Sequence, residues 1–170
     1  HSDLGKQFSE HTIKRTYQAL VWGVLRPLKG RVETYIGRSK KNRQLMSAEV
    51  ISGKKAISNY KTNQVFIIKD IPKISFIECN LETGRTHQIR VHMAHKGNPL
   101  LGDKQYGKKK LKFKKINKEF EKLLLILNRQ ALHAKSLGYV QTTKKKFMSF
   151  ESDLPKDFKK LLNLLNKLSH

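Results

Sequence analysis

Cysteine is almost absent from this sequence. Cys79 is the only one in 170 residues, so no disulfide can form within the chain. A single thiol is typical of proteins in a reducing compartment, and we therefore expect a cytoplasmic protein.

Long apolar runs are also missing. The longest one, residues 123–127, is flanked by Lys122 and Asn128, whereas a membrane-spanning helix needs about 20 apolar residues. The run therefore predicts the core of a helix, and no membrane span is expected. The length fits one domain or the larger part of one.

Acidic residues are scarce. The chain has 36 lysines and arginines against 13 aspartates and glutamates, which gives a formal net charge of +23. Such a chain repels itself unless an anionic partner is near. Nucleic acid is the first candidate for that partner, and an anionic membrane surface is the second.

The periodicity of the apolar residues predicts an α+β domain with a largely antiparallel sheet flanked by helices. Turns are predicted at residues 26–30 and near Pro72, and a basic loop at residues 37–43. The predicted strands are residues 12–24, 56–70 and 74–84, and a hairpin at 131–153 that turns near Thr142. The predicted helices are residues 86–95 and 117–128 and a last one opened by Pro155.

The segment "LETGRTHQIRVHMAHKGNPLLGD", residues 81–103, concentrates hydrogen-bond donors. Arg85 and His87 lie where a strand ends and a helix begins, a place where backbone N–H groups favour anions. Arg90 can point towards the sheet, where a buried arginine needs an anionic partner. From spacing alone, that partner is either a structural acid, such as Glu82 or Asp103, or a functional group.

Three histidines follow one another in this segment, at positions 87, 92 and 95. Their spacing is poor for one helix face, and no cysteine or second carboxylate completes a set of four zinc ligands. We therefore expect no metal site, and read these side chains as core or RNA-contact histidines. A ribonuclease that uses His87 and His92 for acid and base catalysis is a further hypothesis.

Two aromatic residues on the first strand are consistent with core packing. The alternation of residues 12–24 sets Tyr17 on one face together with Ala19 and Val21. Trp22 is a core residue by the same reasoning. Basic runs recur along the chain, with Tyr106, Phe113 and Phe147 between them, as on surfaces that follow a phosphate backbone.

Four motifs, in order, carry a resemblance to a known family. The segment "GRTHQIRVHMAHKGNPLLGDKQYG" closely resembles the signature of the RluA-type pseudouridine synthases. "HTIKRTYQALVWG" is similar to the tyrosine motif of that family, "RQALHAKSLGYV" to a later motif, and "SFESDLPKDFKKLL" to its closing helix. Residues 1–170 are thereby identified as the C-terminal portion of one pseudouridine synthase catalytic domain.

The resemblance implies an isomerase that converts uridine in RNA to pseudouridine without any cofactor. The N1–C1′ bond breaks, the uracil turns, and C5 joins C1′. Tyr17 matches the active-site tyrosine, which packs on the uracil and helps to remove the C5 proton. Arg90 matches the arginine that pairs with the catalytic aspartate, so the resemblance makes the functional partner the expected one.

The family's aspartate lies in an Arg-Leu-Asp-x-x-Thr-Ser-Gly motif upstream of the tyrosine strand, and this sequence contains no such motif. Asp3, in "HSDL", lacks its flanking residues. We therefore expect a chain truncated at its N-terminus and inactive alone. Its uncovered apolar face and sheet edge predict reduced stability, partial disorder near residues 1–15, or dimerisation. The alternative is a non-catalytic RNA-binding protein on the same scaffold.

The family's usual substrate is large-subunit ribosomal RNA, and transfer RNA is also represented. We expect RNA contacts from the signature and from the basic loops at residues 37–43 and 108–115. The predicted contact residues are Arg85, His87, Gln88, Arg38, Lys40, Lys41, Lys109 and Lys112.

Overall fold

The computed structural model describes residues 13–107, 117–141 and 143–169. These ranges form a seven-stranded sheet and three helices. The strands are β1 (Lys14–Trp22), β2 (Lys29–Arg38), β3 (Met46–Ser47), β4 (Lys54–Phe66), β5 (Ile74–Leu81), β6 (Leu132–Gln141) and β7 (Lys146–Glu151). The helices are α1 (Gln88–His95), α2 (Lys118–Leu127) and α3 (Lys156–Leu168).

The first strand lies inside the sheet and not at its edge. The strand order is β3-β2-β4-β5-β1-β6-β7, and the paired strands are antiparallel. Tyr17 on β1 stands opposite Cys79 on β5 and Ala134 on β6. Strand β1 is rich in β-branched and aromatic residues, which suits a position between two neighbours. The expected α+β fold with an antiparallel sheet is confirmed.

One face of the sheet is covered by α2 and α3. The core on this face is entirely apolar, and it includes Leu20, Trp22, Phe66, Ile74, Phe120, Phe158, Leu161 and Leu165. Trp22 and Phe120 meet edge to face with ring centroids 6.3 Å apart, a favoured geometry for aromatic pairs. Helix α3 supplies its part through the amphipathic spacing visible in the sequence.

The opposite face is covered by α1. Ile89 and Met93 pack on side chains that include Ala19, Val21, Tyr60 and Ile77, and Val91 packs on Ile36 and Ala56. Tyr17 joins this face, as the alternation along β1 predicts. The signature segment thus covers the central strand that carries the tyrosine.

The helices predicted from the sequence are confirmed, and their ends follow the caps. The side chain of Asn117 accepts a hydrogen bond from the Phe120 amide at the start of α2. Asn128 ends α2 in the left-handed conformation with φ 48°, as C-cap residues often do. Strands β1, β4, β5 and the β6–β7 hairpin are also confirmed, although β4 ends at Phe66 and β5 at Leu81, earlier than predicted.

The sequence analysis missed β2. The predicted turn at 26–30 and the predicted loop at 37–43 each overlap an end of this strand, which runs from Lys29 to Arg38. The strand does alternate, because Val32 and Ile36 are buried while the residues next to them are exposed or half-buried. Its exposed positions include Arg31, Glu33 and Tyr35. Pro27, Gly30 and Gly37 lie at or near its ends, and because proline and glycine are typical of turns, they favoured a turn and a loop over a strand.

The described sheet ends at β3 on one side and β7 on the other. Strand β7 carries Phe147 and Phe150, which are 50% and 55% exposed. Dimerisation through a sheet edge stays a prediction. Residues 1–12 lie outside the described residues, and so does most of the segment predicted to be disordered. In the described part of the chain, none of the helices is long and apolar enough to cross a membrane.

Candidate active site and RNA interface

A cavity of about 340 Å³ opens on the α1 face, at the centre of the sheet. It lies where β1, the end of β5, the start of α1 and the segment before β6 meet. Its lining comprises Arg15, Tyr17, Leu81, Gly84, Arg85, His87, Gln88, Ile89, Arg90, Gln130 and Leu132. The structure thus brings together both predicted catalytic residues and three of the predicted RNA contacts.

The turn between β5 and α1 is built around the amide of Gln88. Its oxygen accepts hydrogen bonds from the Thr83 hydroxyl at 2.7 Å and from the Arg85 amide at 3.0 Å. Its nitrogen donates to the carbonyl of Ile57 and to the hydroxyl of Ser58, each at 2.9 Å. Gln88 is only 3% exposed. This geometry assigns Gln88 to shaping the turn and not to contacting RNA, which corrects the sequence-based prediction.

His87 begins α1 in the left-handed conformation, with φ 56°. This strained backbone turns its ring towards Tyr106, whose hydroxyl lies 2.8 Å from Nδ1. The same hydroxyl accepts a hydrogen bond from the Met46 amide. Burial and the nearby charge of Arg90 lower the pKa of His87, so its imidazole is neutral at neutral pH and adds no charge to the cavity wall.

Arg90 makes a two-pronged ion pair with Asp103. Its Nε and Nη2 atoms donate to the two carboxylate oxygens at 2.9 and 2.8 Å. Nη2 also donates to Gln105, and the guanidinium lies 5.0 Å from the ring centre of Tyr106. Burial favours the neutral form of Asp103, but the hydrogen bonds from Arg90 and from two backbone amides outweigh it and lower the pKa of the carboxyl. The same pair raises the pKa of Arg90.

The structure gives Arg90 an acidic partner within the described part of the chain. The carboxylate that binds it is Asp103 of this chain, the structural alternative that spacing alone left open. Glu82 is engaged elsewhere, with Arg31 and Asn59. Nη1 of Arg90 donates to no described residue, so the guanidinium keeps one amino group available in the wall of the cavity.

Arg15 belongs to this site and was missed in the sequence. It lies two residues before Tyr17 on β1, on the same face of the strand, and it lines the cavity. Its guanidinium crosses over Gly84 so closely that a side-chain carbon at position 84 would overlap it. The period of two along β1 is the signal that could have found Arg15, because it places residues 15 and 17 on one face.

No carboxylate lines the described cavity. Three arginines do, at positions 15, 85 and 90, and the charge of Arg90 is balanced by its ion pair with Asp103. Asp103 has no exposed side-chain surface, so it balances Arg90 without facing the cavity. The wall is therefore electropositive, with a tyrosine as its aromatic member, and is suited to a flat anionic ligand.

His92 is a core histidine. Its ring nitrogens lie 2.7 Å from the Ser58 hydroxyl and 2.8 Å from the Thr34 hydroxyl. Burial lowers its pKa to about 4. Both nitrogens are occupied and the side chain is fully buried, so the hypothesis of a ribonuclease using His87 and His92 is wrong. Among the described residues, no cluster of three metal-ligating side chains was found.

The remaining RNA-contact predictions fall in three places. Arg85 lines the cavity and donates through Nε to the Lys55 carbonyl. Arg38 lines a neighbouring depression, while Lys40 and Lys41 are exposed in the loop after β2. Lys109 and Lys112 lie outside the described residues, as does Asp3.

Comparison with known protein families identifies residues 1–95 as a match to the model of the RNA pseudouridylate synthase family. The match spans β1, with Tyr17, and all of α1, with Arg90. It therefore includes both residues that the cavity brings together from distant parts of the chain.

Several curated proteins are similar over nearly the whole chain. An uncharacterised RNA pseudouridine synthase of Chlorobaculum parvum is 39% identical over 94% of this chain and 49% of its own length. The ribosomal large subunit pseudouridine synthase D of Zymomonas mobilis is 40% identical, over 97% of this chain and 49% of its own length. The chain thus spans about half the length of the curated relatives it matches.

Two solved human structures share the fold. They are RNA Pseudouridylate Synthase Domain Containing 1 and Domain Containing 4, with TM-scores of 0.70 and 0.71. Each is 20% identical and covers 97% of this chain, and this chain covers 70% and 67% of theirs. The strands and helices of this chain are therefore arranged as in these two solved structures.

Proposed function

Because the chain belongs to the RNA pseudouridylate synthase family, we propose that it forms part of an enzyme that isomerises uridine in RNA to pseudouridine. The observation that carries the proposal is the meeting of Tyr17 and Arg90 in one cavity. The two residues come from separate motifs, one on the central strand and one on the helix that covers it.

Tyr17 is the residue that contacts the base. It stands on a strand held between β5 and β6, so its ring has a fixed place to stack on a uracil that has left its helix. The isomerisation removes the proton from C5 and places one on N1. Tyr17 takes part in removing the C5 proton, in keeping with the family resemblance.

Arg90 holds the nucleophile. Its Nε and Nη2 edge is bound by Asp103, which sets the plane of the guanidinium and leaves Nη1 for a second carboxylate. That carboxylate attacks the sugar as the N1–C1′ bond breaks. The charge of Arg90 keeps it ionised and aimed. Asp103 is a positioning residue in this scheme, because it acts through Arg90.

The nucleophilic aspartate comes from outside the described lining of the cavity. The lining has no acid, and the family's Arg-Leu-Asp motif does not occur in the sequence. We propose that residues 1–170 are inactive by themselves and become part of a working site when a segment with that motif covers the cavity.

Ribosomal RNA of the large subunit is the substrate we propose, with transfer RNA as the second candidate. The names of the relatives from Zymomonas mobilis and Neisseria meningitidis support it, and the net charge of +23 suits a large polyanion. The lone cysteine and the RNA substrate both support a cytoplasmic location.

Tritium release tests the reaction, because the C5 hydrogen of uridine is lost in the isomerisation. Large-subunit ribosomal RNA labelled at C5 of uridine is incubated with the 170-residue chain, and separately with the product of the reading frame that contains it. We expect release only from the second. Tyr17→Phe in that product should abolish release while RNA binding persists.

Two results would contradict this proposal. Release by the 170-residue chain alone would mean that the nucleophile lies within it. Binding of RNA by the full product without any release, on ribosomal and transfer RNA alike, would favour the non-catalytic RNA-binding protein. Trp22→Phe is the matched control, because Trp22 lies in the core on the opposite face of the sheet.

A further inference from the structure

A second depression, of about 410 Å³, lies beside the cavity. It is lined by the end of β2, the start of β4 and the turn before α1. Three of its residues are cationic: Arg38, Lys54 and Arg85. Gly84 and Arg85 line both the cavity and this depression, so the two form one continuous surface.

These three cations differ from the basic residues around them. On the same sheet, Arg31 pairs with Glu82, Lys55 with Glu33, and Lys61 with Glu78. Within the described ranges, Arg38, Lys54 and Arg85 make no ion pair. Arg38 donates to the Arg43 carbonyl at 3.5 Å and Arg85 to the Lys55 carbonyl at 2.8 Å, which leaves most of their N–H groups unused. Three unpaired cations around one depression favour an exogenous anion.

The walls of the depression are shaped by close backbone contact. A side-chain carbon on Gly53 would collide with the backbone of Ile36, and one on Gly37 would collide with Val50. The β2 and β4 backbones can therefore approach each other here, and Arg38 and Lys54 emerge near the same point of the paired strands. Thr86, which is exposed, adds a hydroxyl to the lining.

We propose that this depression binds an RNA phosphate next to the uridine held in the cavity. The inference rests on the proposed function for the identity of the ligand. Guanidinium groups bind phosphate through paired N–H groups and a lysine binds it as a point charge, and both are present. Because Arg85 lines both compartments, a nucleotide in the cavity places its own backbone at the rim of the depression.

The first measurement uses inorganic phosphate as the probe. Nuclear magnetic resonance of the ¹⁵N-labelled chain should show saturable shifts at the amides of Gly53 and Lys54 and at Nε of Arg85. The double variant Arg38→Gln/Lys54→Gln should lose these shifts. The absence of saturable shifts in the native chain, or their persistence in the variant, would overturn the proposal.

The second measurement uses hexauridylate as the probe. Its affinity is measured over a range of salt concentrations for the native chain, for Arg38→Gln/Lys54→Gln, and for Lys160→Gln/Lys167→Gln on α3. Losing one phosphate contact reduces the slope of log affinity against log salt by about 0.7 for single strands. The first variant should show this reduction. The α3 variant has the same charge change on the opposite face of the sheet and should keep the native slope.

The outcomes separate the two proposals. Equal slopes for both variants would overturn the phosphate subsite even if RNA still binds. Phosphate shifts without competition by hexauridylate would mean an anion other than RNA and would likewise overturn it. Loss of tritium release in the full product, with the shifts and the slope change intact, would count against the proposed isomerase and leave the subsite standing.

Discussion

The two faces of the sheet bury their residues by different means. Beneath α2 and α3 the core is apolar throughout, and large rings such as those of Phe120 and Phe158 are fully buried in it. Beneath and beside α1, by contrast, the buried groups include Gln88, Arg90, His92 and Asp103. Burial of apolar side chains stabilises a fold without requiring a particular orientation of the groups. Each buried polar group, by contrast, needs a hydrogen-bond partner.

This difference separates stability from function. The α1 face holds a left-handed His87, an ion pair and two depressions, features that cost free energy unless the surroundings compensate for them. The α2 and α3 face offsets that cost, because its buried side chains are apolar and need no polar partners. Substitutions on the two faces should therefore have different consequences.

The largest expected effect on stability is on the apolar face. Phe158→Ala should lower the free energy of unfolding by about 3–5 kcal/mol, as is usual for a buried aromatic residue, because Phe158 is fully buried. Urea denaturation measures the loss. Affinity of the remaining folded protein for hexauridylate should be unchanged. Leu125→Ala is the control: Leu125 is 71% exposed, and its truncation should cost less than about 0.5 kcal/mol. If Phe158→Ala weakened the binding of hexauridylate as much as it lowered the free energy of unfolding, the apolar face would not be separate from the function of the α1 face.

A loss at the lower end of that range is expected for Arg90→Met on the polar face. It leaves Asp103 buried without a counter-ion, at a cost of about 3 kcal/mol at pH 7. Burial then raises the pKa of Asp103, so the variant should regain stability as the pH falls and the carboxyl becomes protonated. In the native chain the sign is opposite, because the pKa of Asp103 is lowered and its contribution is lost as the pH falls through that lowered pKa.

Urea denaturation at pH 7 and pH 5 shows whether the contribution of Asp103 to stability rises or falls as the pH is lowered. The double variant Arg90→Met/Asp103→Leu should be more stable than Arg90→Met alone, since both charges are gone. It should nevertheless be without isomerase activity in the full product. A single variant as stable as the native chain at pH 7 would show that Asp103 is not the main partner of Arg90.

The smallest of these effects is the contribution of His92 to the pH dependence of the free energy of unfolding. Its pKa is about 4 in the folded chain, against about 6.5 in an unfolded one. The unfolded chain therefore binds the extra proton between pH 6.5 and pH 4, and stability should fall by about 2–3 kcal/mol across that window.

His92→Gln should remove this slope while keeping groups that can bond to Ser58 and Thr34. Unfolding free energies at several pH values from 4.5 to 7 measure it. His133→Gln is the control, because His133 lies on β6 and bonds to the Ser152 carbonyl outside this core. Because the pKa of His87 is lowered as well, a smaller slope should remain, and a slope of unchanged size in His92→Gln would place the titrating group elsewhere.

Much of the fold was predictable because its signals are local. Asn117 and Asn128 delimit α2, Pro155 opens α3, and alternating residues define β1. Strand β2 was missed because the glycines near its two ends are also local signals, and they indicate turns and loops. The order of the strands is a property of long-range pairing, which no short pattern contains.

The site was predictable to a lesser degree. The motifs identify Tyr17 and Arg90, and the structure places both on one cavity. The pairing of Arg90 with Asp103 depends on how the turn after α1 returns to the helix, and Gln88 faces inward because of bonds to β4 and to its own turn. The sequence analysis made no prediction for Arg15, and the contact of its guanidinium with Gly84 is visible only in the tertiary structure.

The central place of β1 also dictates when the site can exist during synthesis. Tyr17 pairs with Cys79 on one side and with Ala134 on the other. At about 5–20 residues per second, the ribosome adds residues 18–134 over a period on the order of 10 s. Until then the strand that carries the tyrosine has an unpaired edge, and this is the period in which a nascent chain is most open to mispairing. Tyr17 is thus made well before the strand β6 that completes its surroundings.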